Sequence, residues 1–203
     1  MANAAVTTPL RARGALAPYT DRLAAVDGPV RLIPLPLTTH LNLRVAPEAG
    51  AAEAVAGVLG AALPGVHESV TTAAGLSVHW IGPDEWLVAD PSRSAALEGD
   101  LRAALGAHGA VTDQSGHFVS LLVDGDARGL LSKGTALDLG PEAFPRGASL
   151  QGLLTQAVVL YVNRSEDASR VELVFRTTFA RHVAEWLLDA VRDPLAYPAT
   201  RGV

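Results

Sequence analysis

The sequence predicts an α+β fold of mostly antiparallel sheets with packed helices. Two observations carry that prediction. Extended segments come in neighbouring pairs joined by short turns, and the pairs are followed by single stretches of helical period. A doubly wound parallel fold would alternate one strand with one helix instead.

Residues 1–28 contain Ala, Thr, Pro and Gly with no sustained period. They read as an N-terminal arm whose Leu10, Leu16, Tyr19 and Leu23 are free to dock on a partner. Residues 29–203 read as the α+β domain, with a soft sub-boundary near 90–110. Val30 to Leu37 and His40 to Val45 are strand candidates. In the second, Leu41, Leu43 and Val45 alternate with Asn42 and Arg44, the period of a half-buried strand. Ala51 to Leu63 is a small-residue helix stopped by Pro64-Gly65. Val70 to Ile81 and Glu85 to Val88 are strands joined by the turn Gly82-Pro83-Asp84.

Ser92 to His108 predicts a helix with Leu97, Leu101, Ala104, Leu105 and His108 on one face. Ser92 or Ser94 is positioned to cap it, and Gly106 or Gly109 to end it. Residues 111–117 read as a polar loop. Phe118 to Val123 is a strand buried on both faces, followed by a short helix that Asp126 starts and Gly134 stops. Val158 to Val162 is a continuous β-branched and aromatic run, as in a central strand. Val171, Leu173 and Phe175 alternate with Glu172, Val174 and Arg176 in its neighbour, and Ser165 to Ser169 form the turn between them. Thr177 or Thr178 caps a last helix, Phe179 to Val191, ended by Asp193-Pro194. No internal repeat is visible.

The composition excludes several functions. With 203 residues, 49% hydrophobic and 18% charged, the chain can bury a core. A net charge of −5 argues against nucleic-acid binding. The absence of cysteine removes disulfides, thiolate metal sites and thiol nucleophiles, and fits a reducing cytoplasm. No apolar run approaches the ~20 residues of a membrane span, and the first 20 residues lack a signal-peptide layout.

Candidate chemistry is sparse. Asp113, Ser115 and His117 sit within five residues and between them offer the nucleophile, base and orienter of a triad. Hydrolytic triads, however, are assembled from separate segments, and there is no Gly-x-Ser-x-Gly elbow. The six histidines, His40, His67, His79, His108, His117 and His182, lack metal-site spacing. No phosphate-cradling glycine loop follows a strand. Trp80 and Trp86 flank a turn and read as hairpin core ahead of a stacking platform. Lys133, the chain's single lysine, complements a helix C-terminus. No catalytic, cofactor-binding or metal-binding residue is assigned.

Several motifs in sequence resemble one family. They are His79-Trp-Ile-Gly-Pro-Asp-Glu-Trp-Leu-Val88, Thr112-Asp-Gln-Ser115, Leu131-Ser-Lys-Gly-Thr-Ala-Leu-Asp-Leu139, Ala143-Phe-Pro145, and Arg176-Thr-Thr-Phe-Ala180 before a terminal Trp186-Leu-Leu helix. From about Leu76 to Val191 the chain resembles the gamma subunit of heterotetrameric sarcosine oxidase, departing from the family pattern at Gln114 and Thr135. The resemblance implies a non-catalytic subunit assembled with alpha, beta and delta subunits. That complex converts sarcosine, tetrahydrofolate and oxygen to glycine, methylenetetrahydrofolate and hydrogen peroxide. It also implies that FAD, FMN, NAD, tetrahydrofolate and zinc are held by the other subunits.

More remotely, Asp113, Ser115, Gly125, Asp126, Ala127 and Leu131 are similar to the folate-binding domain of the glycine-cleavage aminomethyltransferase. That family places an acidic residue on the following strand, and here no Asp or Glu occurs between Gly147 and Ser165. A carboxylate is needed to handle the cationic amine or the folate nitrogen. Its absence speaks against independent one-carbon transfer. A free-standing folate-binding protein and a hydrolase using Asp113, Ser115 and His117 are the rival readings.

Overall fold

The computed structural model describes residues 12–46 and 50–193. Leu10 and Pro194, named above, lie outside them. A 3-10 turn at Ala17–Tyr19 leads into α1 (Thr20–Ala24). Then follow β1 (Val30–Pro34), β2 (Thr39–Val45), α2 (Ala51–Leu59), β3 (Ser69–Thr71), β4 (Ser77–Gly82), β5 (Glu85–Asp90), α3 (Leu97–Leu105) and β6 (Gly109–Asp113). The rest is β7 (Phe118–Gly125), α4 (Ala127–Leu131), β8 (Ser149–Leu154), β9 (Ala157–Asn163), β10 (Arg170–Arg176), a 3-10 turn at Thr177–Phe179 and α5 (Ala180–Ala190).

The strands form two five-stranded sheets. Sheet I runs β3-β4-β5-β2-β6 and sheet II runs β8-β9-β10-β7-β1. Every pairing within them is antiparallel, as the fold class predicts. The two orders are the same. In sheet I the sequence β2-α2-β3-β4-β5-α3-β6 makes a split β-α-β unit with one added edge strand. In sheet II, β7-α4-β8-β9-β10-α5 repeats it, but the last place is filled by β1 from the other end of the chain. The chain therefore contains an internal repeat that its sequence does not display.

Alternation decides what each face buries. In sheet I, Leu41, Leu43, Val45, Val78 and Val88 face α2 and α3, where Val55, Leu59, Leu101 and Leu105 meet them. Each such fully buried side chain stabilises the fold by roughly 1.5–3 kcal/mol. In sheet II, Leu121, Val123, Tyr161, Leu173 and Phe175 face α4 and α5. Leu16 and Leu23 sit in this same core at 2% and 0% exposure, so these two do not serve as partner-docking residues. The opposite faces of the two sheets meet each other through a small apolar joint of Leu87, Leu160, Val162 and Val174.

Several ends differ from expectation for local reasons. Helix α2 stops at Leu59 because Gly60 turns left-handed with φ 74°. Helix α3 begins only at Leu97, since Ser92 and Ser94 are engaged by Asp90. The Asp90 carboxylate accepts from the Ser92 amide at 2.8 Å, the Ser92 hydroxyl at 2.6 Å and the Ser94 amide at 2.7 Å. Burial opposes its charge, yet these bonds hold its pKa below the usual carboxylate value. Asp126 caps α4 by accepting from the Gly129 amide. Lys133 reaches past its own helix to the Ala190 and Asp193 carbonyls at 2.8 and 3.2 Å, completing the C-terminal end of α5.

Candidate functional site

Asp113 ends β6, and Ser115 and His117 lie on the 114–117 connection, where the chain passes from sheet I to sheet II. The Asp113 carboxylate accepts from the Ser115 amide at 2.7 Å and the Ser115 hydroxyl at 2.5 Å. The same hydroxyl oxygen accepts from the His40 amide at 3.1 Å, and the Gln114 amide donates to the His40 carbonyl at 2.8 Å. His117 packs edge-on against Phe118, with ring centroids 5.1 Å apart, and makes no hydrogen bond to Ser115. The bonds from Ser115 depress the Asp113 pKa. The trio staples a connection to β2: the Ser115 hydroxyl is engaged by Asp113 and by the His40 amide, and among the described residues no histidine ring bonds to it as a base.

Chemically richer residues lie between the sheets. Alternation along β2 and β4 turns His40 and His79 away from the helices, leaving them 2% and 0% exposed. His79 Nδ1 lies 2.8 Å from the Ser69 hydroxyl. Its Nε2 and both ring nitrogens of His40 have no hydrogen-bond partner among the described residues. Burial lowers the pKa of His40, and it lowers that of His79 well below 6.5 with help from the nearby Arg164 charge. Both rings are neutral at pH 7.

Arg164 carries the strongest polar link. Its Nε and Nη2 donate to the Glu172 carboxylate at 3.0 and 2.6 Å. Nη1 donates to the Thr71 hydroxyl at 3.0 Å, and Nη2 to the Ser77 hydroxyl at 3.2 Å. One guanidinium thus spans β10 of sheet II and the β3–β4 pair of sheet I. Sequence reading gave Arg164 no role, because beside Ser165 it looks like an ordinary turn residue. Glu172 on β10 is the carboxylate on sheet II's inner face beside the acid-free β9, and the pair with Arg164 leaves it uncommitted to chemistry.

A cleft of about 530 Å³ opens beside the two inter-sheet connections. Leu16, Leu35, Leu37 and Phe118 form apolar walls, with His40 and Ser120 among the polar residues. It offers volume for binding, and Ser115 lines it with its hydroxyl already engaged by Asp113. Trp86 Nε1 donates to the Pro64 carbonyl at 2.9 Å and packs on the helix-side core. Trp80 meets the His67 ring edge-on at 5.1 Å. The two indoles are hairpin packing. Among the described residues, no group of three or more His, Asp or Glu is placed to hold a metal ion.

This architecture has relatives. The family model described as "Sarcosine oxidase, gamma subunit family" matches residues 44–193. The chain belongs to the sarcosine oxidase gamma subunit family. It is 35% identical over 169 residues to the sarcosine oxidase subunit gamma of Arthrobacter sp, covering 82% of each protein. To that of Corynebacterium sp. (strain U-96) it is 34% identical over 167 residues, covering 81% of this chain and 80% of the relative. The likeness to this gamma subunit family therefore extends beyond the stretch from Leu76 that carries the sequence motifs.

Among solved structures, a chain of the heterotetrameric sarcosine oxidase from Corynebacterium sp. U-96, in complex with pyrrole 2-carboxylate, superposes with a TM-score of 0.83 at 31% identity. That match covers 93% of this chain and 99% of the other. The glycine cleavage system aminomethyltransferase T from Bartonella henselae superposes with a TM-score of 0.57 at 17% identity, over 86% of this chain and 52% of that one. At that identity the gamma subunit family and the aminomethyltransferase share a fold.

Proposed function

We propose that this chain is the gamma subunit of a heterotetrameric sarcosine oxidase and contributes assembly surface in place of chemistry. In this reading its partners are alpha, beta and delta subunits. Together they oxidise sarcosine with oxygen in the presence of tetrahydrofolate, giving glycine, 5,10-methylenetetrahydrofolate and hydrogen peroxide. FAD, FMN, NAD, tetrahydrofolate and zinc are then held by the other subunits, in the cytoplasm.

The observation that supports this most is the near end-to-end match to one chain of a heterotetrameric sarcosine oxidase, 93% of this chain against 99% of that one. The local chemistry agrees. Asp113 and Ser115 are engaged in a loop staple, and His40 and His79 are buried and neutral. Glu172 is held by Arg164.

Co-expression with the three other subunits tests the proposal. The chain is expected to co-purify with them, and the assembled complex to form peroxide from sarcosine while the chain alone forms none. Peroxide formation by the isolated chain would overturn the non-catalytic role. Tetrahydrofolate binding by the isolated chain would favour the rival folate-binding reading.

A further inference from the structure

The inner face of sheet II is not fully covered by sheet I. Val159 and Phe175 pair with each other and point into the helix-side core. Their sequence neighbours Val158 and Arg176 therefore point to the opposite face. Leu153 pairs directly with Val158 and shares that face, and Phe118, which pairs with Arg176, shares it too. Sheet I reaches only as far as Gln151, whose amide donates to the Ile81 carbonyl. One step beyond, Leu153 and Val158 are 53% and 54% exposed.

Arg176 lies beside them, exposed, and its guanidinium makes no ion pair with a described residue. An exposed aliphatic cross-strand pair rimmed by an arginine without an ion-pair partner among the described residues has the make-up of an interaction surface, Arg being enriched at interfaces.

The sheet edges offer less. The edges formed by β3 and β8 bond to each other, Ser69 N–H to the Gly147 carbonyl and Ser149 N–H to the His67 carbonyl, both at 2.7 Å. Arg102 donates to the Val111 carbonyl of edge strand β6 at 2.9 Å. Edge strand β1 ends in Pro34, which has no N–H. Association by strand addition is thereby blunted, and a face remains.

We propose that the strip Leu153–Val158–Arg176, with Phe118 at its inner end, docks another subunit of the complex. The docked surface presents a carboxylate to Arg176, surrounded by aliphatic or aromatic side chains that cover Leu153 and Val158. The requirement for an anion follows from desolvation: covering Arg176 without a counter-charge would leave a buried unpaired cation, which is strongly unfavourable. The proposal rests on the reading of this chain as a subunit.

The test uses the full complex, purified through a tag on a different subunit, with retention of this chain measured against dilution and salt. Leu153→Ser with Val158→Thr, and Arg176→Glu, are each expected to weaken retention at least about tenfold. Arg176→Gln should retain less and lose most of the salt dependence seen with arginine, a readout that misfolding does not imitate. Val66→Ser, at an exposed apolar site elsewhere (65%), should behave as the unchanged chain. Retention of the strip variants equal to that of the unchanged chain overturns the docking surface and leaves the subunit reading standing. Failure of the unchanged chain to co-purify overturns both.

Discussion

The Arg164 guanidinium grips the Glu172 carboxylate within sheet II while reaching the Thr71 and Ser77 hydroxyls of sheet I. Direct apolar contact between the sheets is limited to a few residues around Leu87 and Leu160. The Arg164 bridge therefore shares the placement of the two repeats with the Gln151–Ile81 bond and the backbone bonds between the β3 and β8 edges. With side-chain exposures of 23% and 11%, the pair is largely shielded from water. Arg164→Met strands the Glu172 charge and is expected to cost about 3–5 kcal/mol in urea unfolding. The double variant Arg164→Met with Glu172→Leu should be more stable than that single variant. Equal or greater loss in the double variant would contradict the bridge.

The buried histidines make stability sensitive to mild acid. Their pKa values in the folded state are lowered, His79 the more strongly, while the unfolded chain titrates near 6.5. Below about pH 6.5 the unfolded state binds protons that the folded state refuses, so stability falls as pH falls. The slope approaches about 1.4 kcal/mol per pH unit for each histidine that stays neutral. Unfolding free energies at pH 7.5, 6.5 and 5.5 should show this loss, and His79→Gln should flatten it. A profile unchanged by that substitution would rule out His79 as the source.

Gly125 ends β7 with φ 107°, and a Cβ there would run into the Pro29 carbonyl of the backbone leading to β1. Neither the conformation nor the space suits an L side chain. Gly125→Ala is expected to destabilise by at least about 3 kcal/mol in chemical unfolding, through strain and clash together. A change below about 1 kcal/mol would mean that the β1–β7 junction yields easily.

The Asp113, Ser115 and His117 segment makes opposite predictions for its members. His117 is exposed and only packs on Phe118, so His117→Ala should shift stability by no more than about 0.5 kcal/mol and leave the activity of the complex unchanged. Asp113→Ala removes the acceptor for two bonds from Ser115 and should cost about 1–2 kcal/mol, again without loss of turnover. A large fall in turnover in a stable His117→Ala complex would reopen a catalytic role.

Much of the fold was legible where one face is apolar and the other is not. Leu41, Leu43 and Val45 in β2, and Val171, Leu173 and Phe175 in β10, show the alternation that their helix-side cores require. Strand β6 was hidden because only Val111 in Gly109–Asp113 is buried, so the segment reads as a polar loop. Strand β8 was hidden because Gly152 interrupts it and Leu153 faces outward. The N-terminal leucines misled, since apolar residues without a period look alike whether they dock on a partner or on their own core. The polar layer was illegible because His40 and His79 lie far in sequence from the Arg164–Glu172 pair and come beside it only through sheet packing.

The place of β1 has a consequence for synthesis. Val30 pairs with Gly125, so the strand made early must wait until β7 has left the ribosome. All of sheet I is translated in that interval, and an unpaired apolar strand accompanies it as a nascent-chain liability. Helices α1 and α5 lie side by side, with Arg22 and Glu185 3.9 Å apart. A circularly permuted gene that moves α1 and β1 behind α5 would therefore encode two successive, uninterrupted units. Such a permutant would need no early strand held in reserve, and its nascent chain should depend less on chaperones than the natural order does.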